Sequence, residues 1–319
     1  MIKDTLTRLQ VLLRREIWES PIAFKWTPVI IAGFILLFTV LALIIGMKVD
    51  NRMVFASDSI RMFAELDPEA KRLIVSGGLF SISAVFTQVM FIVLVFYLSG
   101  SLYDDRRDRS ILFWKSLPVS DTLTVASKIV TACVIAPLLY MAGVALIQLL
   151  LLGIGTVLAL IADVNPLTEL WLAARLPRQW TLLVYAALVQ GLWLLPIYAW
   201  LLFCSSWAPR LPILIAVIVP VLIGTFQHFW SLFSSFSLPE VNLLWIVLQR
   251  IGAGVTPTSV EWETISRDGN DSFRPSEETL MSFGSVTDHL FSVDMLVGLV
   301  IGLVFLVGAV WFRRRATDA

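Results

Sequence analysis

The chain has 319 residues, 58% of them hydrophobic and only 15% charged, with 24 Lys or Arg balanced by 24 Asp or Glu. A soluble domain carries about 25% charged residues, so an ordinary soluble composition is excluded. The zero net charge sets up no overall field that would draw nucleic acid.

The charges are clustered. Six windows between the clusters hold no Asp, Glu, Lys or Arg: 28–47, 78–103, 129–162, 181–209, 211–229 and 295–312. A spanning helix needs about 20 mostly apolar residues, so each window predicts a transmembrane helix. The third window, at 34 residues, is long enough to tilt or to extend past the hydrocarbon, and the last, at 18, is the shortest. Pro137, Pro196 and Pro220 fall inside windows, where neighbouring helices can satisfy the freed carbonyls.

Residues 1–27 come first. Ile2, Leu6, Leu9, Leu13 and Ile17 recur at helical spacing and form one apolar stripe, with Arg8, Arg14, Arg15, Glu16 and Glu19 mostly off it and Pro21 ending or kinking the pattern. Two readings stand: a helix lying in the membrane interface as an anchor, or one that also contacts a partner. The segment does not read as a cleaved signal peptide, because the apolar run after it starts too far into the chain and is too long.

Residues 48–77 mix five acids and five bases with Met53, Phe55, Ile60, Met62 and Phe63, which suits a short external helix with no ligand set. Residues 104–128 open with six consecutive charges, Asp104, Asp105, Arg106, Arg107, Asp108 and Arg109. Ile111, Leu112, Trp114 and Leu117 then fit a short amphipathic helix ended by Pro118, and Ser120 or Asp121 can cap the helix that enters the third window through Lys128. Such an element, with Phe113 and Trp114 exposed, could dock in a groove of a partner. It could equally be a solvated loop whose bases fix topology.

Beyond it, 163–180 is a short connection, and "APRLP" at 208–212 is a tight turn that makes the fourth and fifth spans neighbours. Residues 230–294 form the longest soluble segment. Within it 241–251 is too short to span and suits an interfacial or re-entrant helix, and the polar stretch 256–289, rich in turn signals, suits a small external cap. The tail, 313–319, opens with Arg313, Arg314 and Arg315.

Six spans put both termini on one side. With the termini cytoplasmic, the inside segments hold fourteen Lys or Arg and the longer outside segments ten, so the bias places both ends in the cytoplasm.

Chemistry-bearing motifs are missing. There is no phosphate-binding G-x-x-x-x-G-K-[ST] loop, no H-E-x-x-H and no G-x-S-x-G, and His228 and His289 have no neighbours at metal-ligand spacing. The chain therefore reads as no enzyme, without a cofactor or metal of its own. Cys133 and Cys204 lie in apolar windows and read as packing thiols. Gln148 and Gln190 are the main strongly polar side chains in mid-span and read as inter-helix hydrogen bonds. Proton-coupled carriers usually need an ionisable group in the spans, so uncharged spans argue against that class, although sodium can be held by backbone carbonyls.

Two stretches carry a resemblance. "YDDRRDRSILFWKSLPVSDTLTVASK" at 103–128 resembles the cytoplasmic loop of permease subunits of ABC-2 type transporters, with Asp105, Arg107, Asp108, Leu117, Pro118, Val119, Ser120 and Lys128 in that arrangement. It departs from the commoner Gly-Thr by having Arg109-Ser110, which suggests a bacterial subgroup. "LLRREIWES" at 12–20 resembles the family's amphipathic start. The resemblance implies an all-α integral membrane protein with six transmembrane helices in the bacterial inner membrane, with the exporter permease fold. It implies a second permease copy as partner and a separate ATPase subunit carrying ATP and magnesium. Asp104, Asp105, Arg106, Arg107, Asp108, Arg109, Phe113, Trp114, Lys115 and Pro118 would then form the ATPase-coupling contact, flanked by Arg14, Arg15, Glu16, Trp18 and Glu19. The remaining readings are a secondary carrier and a non-transporting membrane anchor or assembly factor.

Overall fold

A computed structural model describes residues 2–49, 54–108, 116, 119–233, 242–255, 264–267, 270–273 and 283–315. Helix α1 (Ile2–Glu19) is followed by a π-helical turn at Ile22–Trp26 and by α2 (Thr27–Val49). Pro21 thus does not end the helical path; it stands where the hydrogen-bond ladder loosens into the π turn. Then come α3 (Val54–Ala64), a short helix in the loop where one was predicted, and α4 (Pro68–Ser101). Pro68 at the first helical position starts α4 ten residues before its apolar window, so its 34 residues reach about 50 Å, well beyond a hydrocarbon core of about 30 Å.

A single turn, α5 (Tyr103–Arg107), carries the start of the charged block. After it α6 (Asp121–Val130), a π turn at Thr131–Ile135 and α7 (Ala136–Ile161) run on as one rod. The Ser120 hydroxyl accepts a hydrogen bond from the Leu123 amide at 3.2 Å and caps α6, as its position before the apolar run predicts.

The fourth window departs from expectation. It holds two helices, α8 (Leu176–Trp193) and α9 (Leu195–Trp207), bent 51° at Leu194. Pro196 is the cause: it has no amide to donate, and its ring crowds the carbonyl four residues back. Then follow α10 (Pro212–Phe233), α11 (Leu243–Val255), an antiparallel pair β1 (Thr264–Arg267) and β2 (Asn270–Phe273), α12 (Phe283–Leu290) and α13 (Val293–Arg315). The small hairpin is the departure from an all-α chain among the described residues.

Five helical rods are long and apolar enough to cross a membrane, and α8 with α9 meets the same test only as a bent pair. The outer faces agree with a bilayer environment: Phe38 is 66% exposed, Leu222 62% and Val304 64%, inverted from a water-soluble surface. Inside, α9 is the hub, packed against α13, α4 and α10. Tyr198 and Leu202 of α9 are fully buried, as are Phe86, Leu98 and Tyr140 elsewhere in the core. Cys133 and Cys204 are free and buried. Gln148 bridges helices as its position suggested: its amide donates to the Leu79 carbonyl at 2.9 Å and its oxygen accepts from the Trp180 indole at 2.7 Å.

Gly191 in α8 presses on the π turn of the rod. A Cβ there would lie 2.5 Å from the Cys133 carbonyl oxygen, whereas at Gly153 it would meet nothing within 4 Å. Gly191→Ala is therefore expected to cost about 1–3 kcal/mol through overpacking, and Gly153→Ala to be neutral or slightly stabilising. Thermal unfolding of both variants in detergent checks the pair.

Candidate functional site

The chain's charges converge at one end of the bundle, where α1, α5, α6, α9 and α13 meet. Glu16 on α1 is 2% exposed. Its carboxylate accepts two hydrogen bonds from Lys128 Nζ, each 3.2 Å, and one from the Tyr97 hydroxyl at 2.6 Å. Lys128 is equally buried. The α1 face that packs inward is thus centred on Leu12 and Glu16, one turn apart, and Leu6 of the predicted stripe is 55% exposed. The Lys128 cation decides this: with it, burying Glu16 completes an ion pair, and without it the carboxylate would be desolvated alone.

Asp105 forms the second centre. Its carboxylate accepts from Arg313 Nη1 at 2.9 Å, and Arg15 Nη2 lies 3.8 Å from its other oxygen. Arg313 also reaches Asp121 at 3.2 Å, and Arg15 pairs with Glu19 at 2.6 Å. One carboxylate therefore ties α1 and α5 to the last helix, and Arg313 adds the start of α6.

Arg106 forms the third. Its Nη2 donates to the carbonyls of Ser205 at 3.0 Å and Ala208 at 2.8 Å. Its charge faces the carbonyl end of α9, where the helix dipole favours a cation. The Ser205 hydroxyl returns the link by accepting from the Leu102 and Tyr103 amides, both at 3.0 Å.

The charged block is therefore split. Asp105 and Arg106 are buried and bonded within the chain, and so is Glu16. These three, which the resemblance placed in the coupling contact, are instead buried and bonded to other helices of the chain. Asp104, Arg107 and Asp108 are exposed, and Arg107 pairs with both neighbours, at 3.6 Å to Asp104 and 3.1 Å to Asp108. On α1, Trp18 is 71% exposed with the Arg14 guanidinium 5.0 Å from its ring centroid, and Glu19 is exposed as well. Arg15 is half-buried beside Asp105. Arg109, Phe113, Trp114, Lys115 and Pro118 lie outside the described residues, as does most of the predicted amphipathic helix.

At the opposite end of α13 is a cation that the sequence reading passed over. Arg250 on α11 donates to the Trp193 carbonyl at 2.8 Å and to the Asp294 carbonyl at 3.1 Å, with its guanidinium 4.5 Å from the Trp193 ring centroid. The Trp193 indole donates back to the Arg250 carbonyl at 3.0 Å. Gln190 donates to the Gly254 carbonyl. Helix α11 is thereby docked on the break between α8 and α9. The available signal was a charge inside an otherwise apolar 11-residue run; the position of the break, which gives that charge its partner, was not visible.

Among the described residues no group of three or more His, Cys, Asp or Glu is placed to hold a metal ion. The chain matches no family model, no curated protein and no solved structure.

Removing one partner of the Glu16–Lys128 pair strands the other charge. Lys128→Met is expected to cost about 3–5 kcal/mol, and adding Glu16→Gln to recover a large part of that. Thermal melts of the single and double variants test the coupling; additive losses would break it.

Proposed function

We propose that the chain is the membrane-spanning permease subunit of an ATP-driven ABC transporter of the export type. It works as a pair of permeases, with ATP hydrolysed on separate subunits. In this reading α8 and α9 together make a sixth, bent span, both termini are cytoplasmic, and the membrane is the bacterial inner membrane.

One observation carries it. Exposed Asp104, Arg107 and Asp108 sit on the end of a spanning helix whose next-door charges are locked to three other elements. A push applied to that exposed edge is delivered to α1 and α13 through Asp105, and to α9 through Arg106. A merely topological cluster of bases needs no such anchoring. The resemblance at 12–20 and 103–128 supports the same reading, because the segments it relates meet at Arg15 and Asp105, and at Glu16 and Lys128.

A second reading, a secondary carrier, is favoured by the break at Leu194 with Arg250 lodged against it. Discontinuous helices with polar groups at the break hold substrates and ions in that class. The two differ in whether an ATPase is needed.

The test is purification of the tagged protein from membranes in mild detergent, with every co-purifying chain identified and counted. An ATPase at about one copy per permease is expected. Replacing Asp104, Arg107 and Asp108 together by Ala should leave the protein folded and in the membrane but weaken ATPase capture about tenfold or more. A chain that purifies alone in several detergents, with uptake or efflux that follows an ion gradient, would replace this reading by the carrier.

A further inference from the structure

Helix α1 has two apolar faces. The inner one carries Leu12 beside Glu16, both buried. The outer one lies apart from the stripe that the spacing of Ile2, Leu6, Leu9, Leu13 and Ile17 predicts: Val11 is 64% exposed and Trp18 71%. From Trp18 this outer face runs on without a break. Trp18, Ile22, Trp26, Ile30 and Phe34 follow at steps of four residues, the spacing of a ridge on a helix surface. All five are at least half exposed. The ridge passes from α1 through the π turn at Ile22–Trp26 into α2, one of the rods long and apolar enough to cross a membrane.

Cations stand along the ridge. The Arg14 guanidinium is 5.0 Å from the Trp18 ring centroid, and Lys25 Nζ is 6.0 Å from that of Trp26. Both side chains are exposed, and neither has a carboxylate partner. The carboxylates nearest in the chain are engaged elsewhere: Glu16 accepts from Lys128 and Tyr97, and Glu19 pairs with Arg15 at 2.6 Å. Exposed Trp rings with basic side chains beside them are the composition of the headgroup level of a bilayer.

We propose that the outer face of α1 lies on an anionic phospholipid surface. Val11, Trp18 and Ile22 enter the boundary between headgroups and acyl chains, and Arg14 and Lys25 contact lipid phosphates. Continuity and charge select this occupant. The ridge on α1 is the extension of a ridge on a spanning helix, and no step in exposure separates the two parts. A water-soluble partner would have to cover the first part and stop short of the second. The two unpaired cations add the preference for anionic over zwitterionic lipid. Helix α1 is then held from both sides, by the Glu16–Lys128 pair within the chain and by phosphates outside it. The proposal is independent of whether, or what, the chain transports, and it puts Arg14 and Trp18 on lipid, not on an ATPase subunit.

The experiment places a spin label on the full chain through Val11→Cys and reconstitutes it in nanodiscs of phosphatidylglycerol or of phosphatidylcholine with the same acyl chains. The two native thiols are buried, and the chain without Val11→Cys supplies the blank. Access of the label to oxygen, which concentrates in the bilayer, is compared with access to a water-soluble nickel chelate. In phosphatidylglycerol, oxygen access should exceed nickel access severalfold. Arg14→Gln and Lys25→Gln, both at exposed positions, should each raise the fraction of label open to nickel about fivefold, since a cation at the membrane surface contributes roughly 1 kcal/mol toward an anionic lipid. Nickel access as high as oxygen access in both lipids puts the face in water and overturns the proposal. Undiminished protection in phosphatidylglycerol when both cations are replaced overturns the role given to them. Protection that appears only when a co-purifying subunit is bound assigns the face to that subunit and overturns the proposal as well.

Discussion

The arrangement depends on one constraint: charge taken out of water must be matched by charge or by directed dipoles. Glu16, Lys128, Asp105, Arg106 and Arg313 are all below 10% exposed, at the end of a bundle whose other buried side chains, among the described residues, carry no charge. In that setting each ion fixes the element that brings its partner. Lys128 draws α1 against α6, and Asp105 draws α13 against α5. Arg106 selects the carbonyl end of α9. Apolar packing alone tolerates rotation and sliding of helices, whereas these pairs set register and rotation for five segments at once.

The two ends of the bundle solve the same problem differently. At the Asp105 end, cations meet carboxylates from distant parts of the chain. At the Arg250 end, the guanidinium is held by the Trp193 carbonyl at the helix break, by the Asp294 carbonyl at the start of α13 and by the ring of Trp193. The first arrangement joins side chains carried on α1, α5, α6 and α13. The second depends on a bend, and a bend is where a packed bundle can change shape with the least disturbance elsewhere. A stiff end joined to a bent one fits the transporter proposed above.

Much of the fold was legible in the sequence, because a run of about twenty apolar residues has few other uses. All six apolar windows are helical, though one is broken, and the Ser120 cap and the helix over 243–255 follow local rules. The break at Leu194 could not be distinguished from a tolerated proline, since Pro220 lies inside α10 without dividing it. The candidate site was half legible. The charged block and the amphipathic start are visible as strings, but Glu16 and Lys128 are 112 residues apart and Asp105 and Arg313 are 208 apart. Spacing along one helix cannot tell a solvated acid from one that waits for a lysine on another, so Asp105, Arg106 and Glu16 were read as surface.

The π turn at Thr131–Ile135 has a consequence for how the rod is phased. A π turn fits one more residue into a turn than an α-helix does, and each residue advances the helix by about 100°. The faces of α6 and α7 are therefore not those of one continuous α-helix. Below the turn, the phase points Lys128 at Glu16. Above it, the shifted phase points Tyr140 at the Ala23 carbonyl, 2.9 Å away, and Gln148 at α4. The turn works as a gearing step: one inserted residue lets a single rod address the charged end and the apolar middle of the bundle with different faces. A chain lacking that residue could satisfy one of these sets of contacts and would turn the other about a quarter of the way round the helix.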